Sequence, residues 1–323
     1  MFKTRVTEKL GIEYPIIGGT MMWLSTPEYV AAISNAGCLG LVCSAMWKTK
    51  DEFRDAVKKT KDMTDKPFGV NLNLFPAMRP IDNREYLEVL LEEGVRIIET
   101  SGHKAPEDLV SDFKENGVTW IHKCVGLRYA KKAVSLGADM ITVVGFENGG
   151  ATGRLDIGTF VLIPTVAGAL EVPVIGGGGL SDGRGLVSAL ALGAEGVIMG
   201  TRFLMVDECP IHEDLKKALA NANETETVLV MRSIGNTHRL WKNKKADEIV
   251  ELEEKGATLQ DLVKAAAGAH DRKMFESGAV EEGTISCGQG IGMIEEIKPA
   301  KDMVADIMEE ARQVAARVCG FKD

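Results

Sequence analysis

From Tyr14 to about Leu204, short runs of aliphatic residues alternate with longer stretches in which apolar residues recur every three or four positions. The short runs, at 15–19, 38–43, 68–74, 95–102, 118–125, 138–147, 172–175 and 196–199, predict eight strands. The longer stretches, at 26–37, 50–63, 84–94, 106–117, 127–137 and from Asp182 onward, predict helices. The first of these opens with Thr26 as a cap and Pro27 in the first turn, and ends at Gly37. Gly94, Gly117, Gly137 and Gly193 likewise stand just before a strand, the mark of a repeated βα unit. Segment 160–170 is less regular. Strands apolar on both faces belong to a parallel sheet covered on both sides. Eight consecutive βα units favour a closed (β/α)8 TIM barrel over an open sheet.

The pattern changes after Cys209. Residues 211–280 are polar and helix-like, and neither 231–244 nor 273–280 shows strand patterning. This predicts a small helical domain inserted over the C-terminal mouth of the barrel. The Gly-rich stretch 284–292 then returns to the rim, and an amphipathic helix at 299–317 closes the outer ring. The expected division is a barrel at 1–209, a cap at 210–283, and a return segment at 284–323.

Composition narrows the function. A net charge of −9 argues against non-specific nucleic-acid binding. No apolar run approaches the roughly 20 residues of a membrane span, and the first ten residues are too charged for a signal peptide. The six cysteines form no C-x-x-C pair or Cys/His ligand spacing, so no metal site is expected. They read as reduced thiols of a cytosolic protein. The expected partner is a small-molecule substrate.

Candidate chemistry gathers at strand ends, where barrel active sites lie. Val172–Ile175 runs into four glycines, Gly176–Gly179, and 196–199 runs into Gly200 and Thr201. Two such turns, after the seventh and eighth strands, suit a phosphate: glycine lets backbone N–H groups approach an anion, and a helix N-terminus behind it adds partial positive charge. The dinucleotide pattern G-x-G-x-x-G is not met, because the glycines are contiguous. Other strand ends offer Gly19-Thr20-Met21, Asn71 and Asn73, Glu99-Thr100, Lys123, and Glu147-Asn148-Gly149-Gly150. Of the neighbours His122 and Lys123, only one can point into the barrel. Met21, Met22 and Trp23 offer an apolar wall, and the basic run 239–245 could meet the phosphates of a nicotinamide cofactor.

Taken together, PIIGGTMMW (15–23), PFGVNLNLFP (67–76), IIETSG (97–102), IHKC (121–124), GFENGGATG (145–153), VPVIGGGGLSDGRG (172–185), ALGAEGVIMGTRF (191–203), MRSIGNT (231–237) and SCGQGIG (286–292) cover nearly the whole chain. They resemble the nitronate monooxygenase, or 2-nitropropane dioxygenase-like, family of FMN-dependent barrels. That family also includes NADH:quinone reductases and flavin-dependent enoyl-ACP reductases. The likeness to the quinone reductase branch is strongest, through IHKC and MRSIGNT. The resemblance implies FMN with its phosphate at Gly178, Gly179, Gly200 and Thr201. It implies a ring met by the Gly19, Thr20 and Met21 backbone, Asn71 and Gln289, with Lys123 near the N1–O2 edge and Gly149 and Gly150 as further contacts.

One departure bears on mechanism. Relatives that oxidise nitronates or reduce enoyl groups carry a histidine at the position that here reads Ala151, and alanine cannot move a proton. Hydride transfer from NADH or NADPH to FMN does not need that histidine. The sequence therefore predicts an FMN-dependent NAD(P)H oxidoreductase passing electrons to a quinone or activated alkene. Glu147, Thr152, Arg154 and His122 are candidate replacements as proton donor. The rival readings are a nitronate monooxygenase with another base, an FMN-binding protein without turnover, and a sugar-phosphate barrel without flavin.

Overall fold

The computed structural model describes residues 2–75, 82–102, 104–266 and 268–320. Its strands are β1 (Ile16–Gly18), β2 (Gly40–Cys43), β3 (Phe68–Asn73), β4 (Ile97–Ser101), β5 (Thr119–Cys124), β6 (Met140–Val144), β7 (Gly150–Ala151), β8 (Val174–Gly177), β9 (Gly196–Met199), β10 (Thr227–Val230) and β11 (His238–Trp241). Eight of them form one parallel sheet in the order β1-β9-β8-β6-β5-β4-β3-β2. The ends join through a parallel bridge between Ile17 and Leu39. There Gly18 N–H donates to Leu39 O at 2.9 Å and Leu39 N–H to Ile16 O at 3.0 Å. The barrel is closed, and it is the (β/α)8 fold that the alternating pattern predicts.

Its interior is layered. Ile17, Leu39, Leu41, Ile121, Met140, Ile175 and Ile198 fill the lower part. The helix Arg5–Leu10 plugs the N-terminal end with Val6 and Leu10. Asn71, Glu99, Ser101, Lys123 and Thr142 occupy neighbouring register positions nearer the mouth. Outside the strands, helices at 27–35, 50–63, 83–92, 110–115, 127–136, 159–167 and 183–191 pack through the larger apolar cluster. The irregular-looking segment 160–170 is thus mostly helix. The terminal helix Ala300–Cys319 completes the ring. It lies so close to the helix Gly183–Ala191 that a Cβ on Gly183 would sit 2.4 Å from Ala311 N.

The inserted segment is not helical throughout. β10 and β11 pair antiparallel, and β11 pairs with the two-residue β7 that follows the barrel strand β6. Four-residue strands, one of them carrying a buried Arg239, are too short and too polar to register as period-two patterns. Helices at 244–254, 259–265 and 268–277 complete this part. Its separate core includes Val230, Leu240, Ile249 and Leu262.

Candidate active site

β3, β4 and β5 bring three polar side chains together inside the mouth. The register sets Asn71 beside Glu99 and Ser101 beside Lys123. Lys123 Nζ lies 2.8 Å from Glu99 Oε1, and Asn71 Nδ2 donates to the same oxygen at 2.8 Å. Glu99 is fully buried and Asn71 nearly so, whereas Lys123 keeps about a fifth of its side chain exposed. Among the described residues Glu99 Oε2 has no hydrogen-bond partner. A carboxylate with one oxygen held by two donors and the other by none is an unusual thing to bury. The sequence marked Glu99 as a strand-end residue but not as a site residue. The signal available was its in-register place beside Asn71.

His122 turns the other way. Its Nδ1 meets Thr100 Oγ1 at 2.9 Å behind the barrel wall, where Trp120 Nε1 also donates to that hydroxyl. This removes His122 from the candidate proton donors. Burial pushes its imidazole down to about 4. Because the folded value lies below the ordinary value near 6.5, the unfolded chain takes up a proton first as the pH falls, and stability drops. This one group should remove about 2 kcal/mol between pH 7 and pH 5. Denaturant unfolding at the two pH values should show that loss in the wild type and a smaller one in His122→Asn; equal losses would refute the assignment.

On the opposite side of the mouth, β8 runs into Gly178 (φ +101°) and Gly179 (φ +69°), left-handed conformations that favour glycine. The turn is pinned from behind. The Thr159 hydroxyl lies 2.8 Å from both Glu147 Oε2 and Gly178 O, and Thr159 N–H donates to the Glu147 carboxylate. Glu147 is thereby committed to structure. β9 runs into Gly200, which among the described residues has no atom within 4 Å of where a Cβ would project, so the space beside it is open. Thr201 Oγ1 accepts from Gly288 N–H at 2.9 Å, tying the return segment to this turn.

One expected contribution is absent. The helix N-terminus behind the glycine run is already neutralised: Asp182 Oδ1 accepts from Gly185 N–H at 2.8 Å, and Glu310 Oε2 from Gly183 N–H at 2.7 Å. An anion at the turn would rely on the Gly178–Gly179 and Gly200–Thr201 backbone instead.

The remaining predicted positions surround the same mouth. Gly19 N–H donates to Met199 O and Met21 N–H to Ser25 Oγ, so these two amides are occupied within the protein. Thr20 Oγ1 is buried with no hydrogen-bond partner among the described residues. Gln289 N–H donates to Glu147 O at 2.9 Å, placing its residue beside the 145–149 segment. A Cβ on Gly149 would lie 2.8 Å from the Cys287–Gly288 backbone, so this glycine serves close packing; Gly150 (φ +76°) opens β7. Arg154 Nε donates to Gly235 O at 2.6 Å. Trp23 has a left-handed backbone (φ +67°), and its ring lies under Arg272 of the cap.

The basic run 239–245 is divided. Arg239 is buried over the Phe146 ring and Lys245 pairs with Glu248, leaving Lys242 and Lys244 exposed. Burial raises the thiols of Cys43 to about 11 and of Cys124, Cys209 and Cys287 to about 12, which makes them inert at neutral pH. Among the described residues no group of His, Cys, Asp or Glu is arranged to hold a metal ion, and no helix is long and apolar enough to cross a membrane.

A closed barrel with a polar cluster and glycine turns at its C-terminal mouth is the architecture of a cofactor- or phosphate-binding enzyme. Residues 3–310 match the nitronate monooxygenase family, and the chain belongs to that family. It is an oxidoreductase of the flavin type. Over 96% of its length it is 32% identical to a (3aS,4S,5R,7aS)-5-hydroxy-7a-methyl-1-oxo-octahydro-1H-indene-4-carboxyl-CoA dehydrogenase from Rhodococcus jostii (strain RHA1), covering 96% of that protein. A probable nitronate monooxygenase from Staphylococcus aureus (strain JH9) is 30% identical, with 78% of this chain and 81% of the relative covered. The structure of FabK from Thermotoga maritima superposes with a TM-score of 0.92 at 34% identity, over 99% of each chain.

Proposed function

We propose that the protein is an FMN-dependent oxidoreductase that takes hydride from NADH or NADPH and passes electrons to an organic acceptor, a quinone or an activated alkene. The observation that carries this reading is the Glu99–Lys123 pair at the mouth, facing the glycine turns at Gly178–Gly179 and Gly200. The residues fit the group. Buried polar atoms without partners (Thr20 Oγ1, Glu99 Oε2, Thr142 Oγ1) suit a ring whose edge both donates and accepts hydrogen bonds, and the open side of Gly200 suits a phosphate. When bound, FMN supplies the hydride-accepting chemistry that side chains lack.

In this reading Lys123 holds positive charge near the ring's N1–O2 edge, where reduction adds negative charge. Asn71 and Glu99 fix the ammonium in place. Gly178, Gly179, Gly200 and Thr201 grip the phosphate, Gly19, Thr20, Met21 and Gln289 border the ring, and Gly149 and Gly150 shape the rim. The barrel at 1–209 binds the cofactor, the 210–283 segment covers the substrate side, and 284–323 returns to the rim. Five buried, unbridged thiols favour a reducing compartment, the cytosol. Among activated acceptors, the identity to a carboxyl-CoA dehydrogenase over 96% of the chain favours a CoA thioester.

Anaerobic mixing tests the proposal. The purified protein should bind FMN, and NADH or NADPH should bleach the bound flavin, with a quinone or an enone restoring the colour. Bleaching by a nitronate and by neither nicotinamide would replace this reading with nitronate oxidation. A protein indifferent to added FMN would end both.

A further inference from the structure

We propose that the buried Glu99–Lys123 pair makes reduction of the site take up a second proton, held by Glu99 on Oε2. The assignment rests on the flavin reading above. The pair is layered: Lys123 keeps 21% of its side chain open to the mouth, and Glu99, behind it, keeps 1%. Both donors to the carboxylate serve Oε1, Lys123 Nζ and Asn71 Nδ2, each at 2.8 Å. Asn71 Nδ2 also donates to the Ser101 hydroxyl at 3.2 Å. Glu99 Oε2 is buried and has no hydrogen-bond partner among the described residues, so a proton placed there disturbs no existing bond. Thr142 stands beside Lys123 in the β5–β6 register, and its buried hydroxyl likewise lacks a partner among the described residues.

Few charges face the pair. From β2 comes Cys43, whose thiol feels both charges and is pushed by burial up to about 11, so it stays protonated through the neutral range. β3 and β4 supply Asn71 and Ser101, β6 supplies Thr142, and the remaining strands supply Ile17, Ile175 and Ile198. His122 faces outward, and Glu147 is bound to Thr159. Among the described residues, Lys123 is therefore the one cation that faces Glu99.

Before reduction, one ammonium serves one carboxylate and the layer is neutral. Hydride transfer leaves one negative charge at the ring's N1–O2 edge. The ammonium then stands between two anions, where an uncompensated charge is costly. A proton on Glu99 Oε2 restores neutrality and releases Lys123 to the ring. Glu99 touches neither ring nor substrate; it is a positioning residue that acts through Lys123. The step balances. The nicotinamide C–H bond breaks and an N–H bond forms at the ring's N5, with NAD(P)H losing the two electrons that FMN gains. Separately, a solvent proton forms an O–H bond at Glu99, with no electron transferred. When the acceptor takes the hydride, the ring charge disappears and Glu99 returns its proton to solvent.

The test is electrochemical and uses no nicotinamide. The midpoint potential of the FMN-loaded protein is followed across the neutral range, about pH 6–8. In wild type it should fall with pH twice as steeply as in Glu99→Gln, two protons per electron pair against one. A wild-type slope of one proton would overturn the proposal without any variant. A steep slope that Glu99→Gln retains would also overturn it, by placing the second proton elsewhere. Reduced-minus-oxidised infrared spectra give an independent reading. Wild type should gain a protonated-carboxyl C=O band that shifts in D2O and is missing from Glu99→Gln; a spectrum without that band would refute the assignment. Both readings exist in wild type alone, so a variant that holds no FMN does not shelter the proposal. Because an electrode supplies the electrons, a protein that binds FMN but is bleached by neither nicotinamide sinks the proposed function and leaves this test intact. A protein that binds no FMN ends both.

Discussion

Replacing Lys123 with methionine is expected to lower the unfolding free energy of the flavin-free protein by about 3 kcal/mol, among the larger effects available to one substitution. The loss is that of stranding a buried carboxylate. Glu99 is fully buried, and Lys123 Nζ at 2.8 Å is its only cationic partner among the described residues. Removing one member of a buried pair costs about 3–5 kcal/mol, and the partial exposure of Lys123 sets the value at the lower end. Adding Glu99→Gln should restore most of the loss, because an amide in that place needs no counter-charge. Urea unfolding of the two single variants and the double variant gives the coupling directly. A single-variant loss below about 1 kcal/mol would mean that water, and not Lys123, serves the carboxylate. The same substitution should shift the midpoint potential of bound FMN downward, since it removes positive charge from beside the reduced ring.

The glycine turns make the second prediction, which separates folding from binding. Gly200→Ala should leave stability unchanged within about 0.5 kcal/mol, because its φ of −95° suits any residue and no atom lies near the added methyl. That methyl would occupy the open side where the phosphate is proposed to rest. FMN affinity should fall by about 1–3 kcal/mol, roughly five- to 150-fold. Gly178→Ala should behave differently. With φ at +101° and Thr159 Oγ1 2.7 Å from the new Cβ, it should damage folding and binding together. Paired thermal melts and flavin titrations distinguish the two. Unchanged FMN affinity in Gly200→Ala would remove the phosphate from this turn.

Much of this architecture was legible in the chain because its signals repeat. Each βα unit carries a buried apolar run and a glycine stop, and both periods survive in the structure. Lys123 was legible for a similar reason: a lysine in a strand between apolar neighbours requires a partner. The partner was harder to see. Glu99 lies 24 positions away, and only the β4–β5 register brings the two together. The β10–β11 hairpin and β7 escaped detection because two- and four-residue strands are too short to establish a period. The occupied helix end at Gly183 also escaped, since Glu310 reaches it from 127 residues away.

That last contact constrains how the protein is made. β1 cannot find its neighbour β9 until about 200 residues have been synthesised, and the flank at Gly183 is covered only when residues 300–319 arrive. A nascent chain must therefore wait on the ribosome with one wall of its cylinder unsealed. The seam between its first and last thirds is where chaperones would find their longest opportunity.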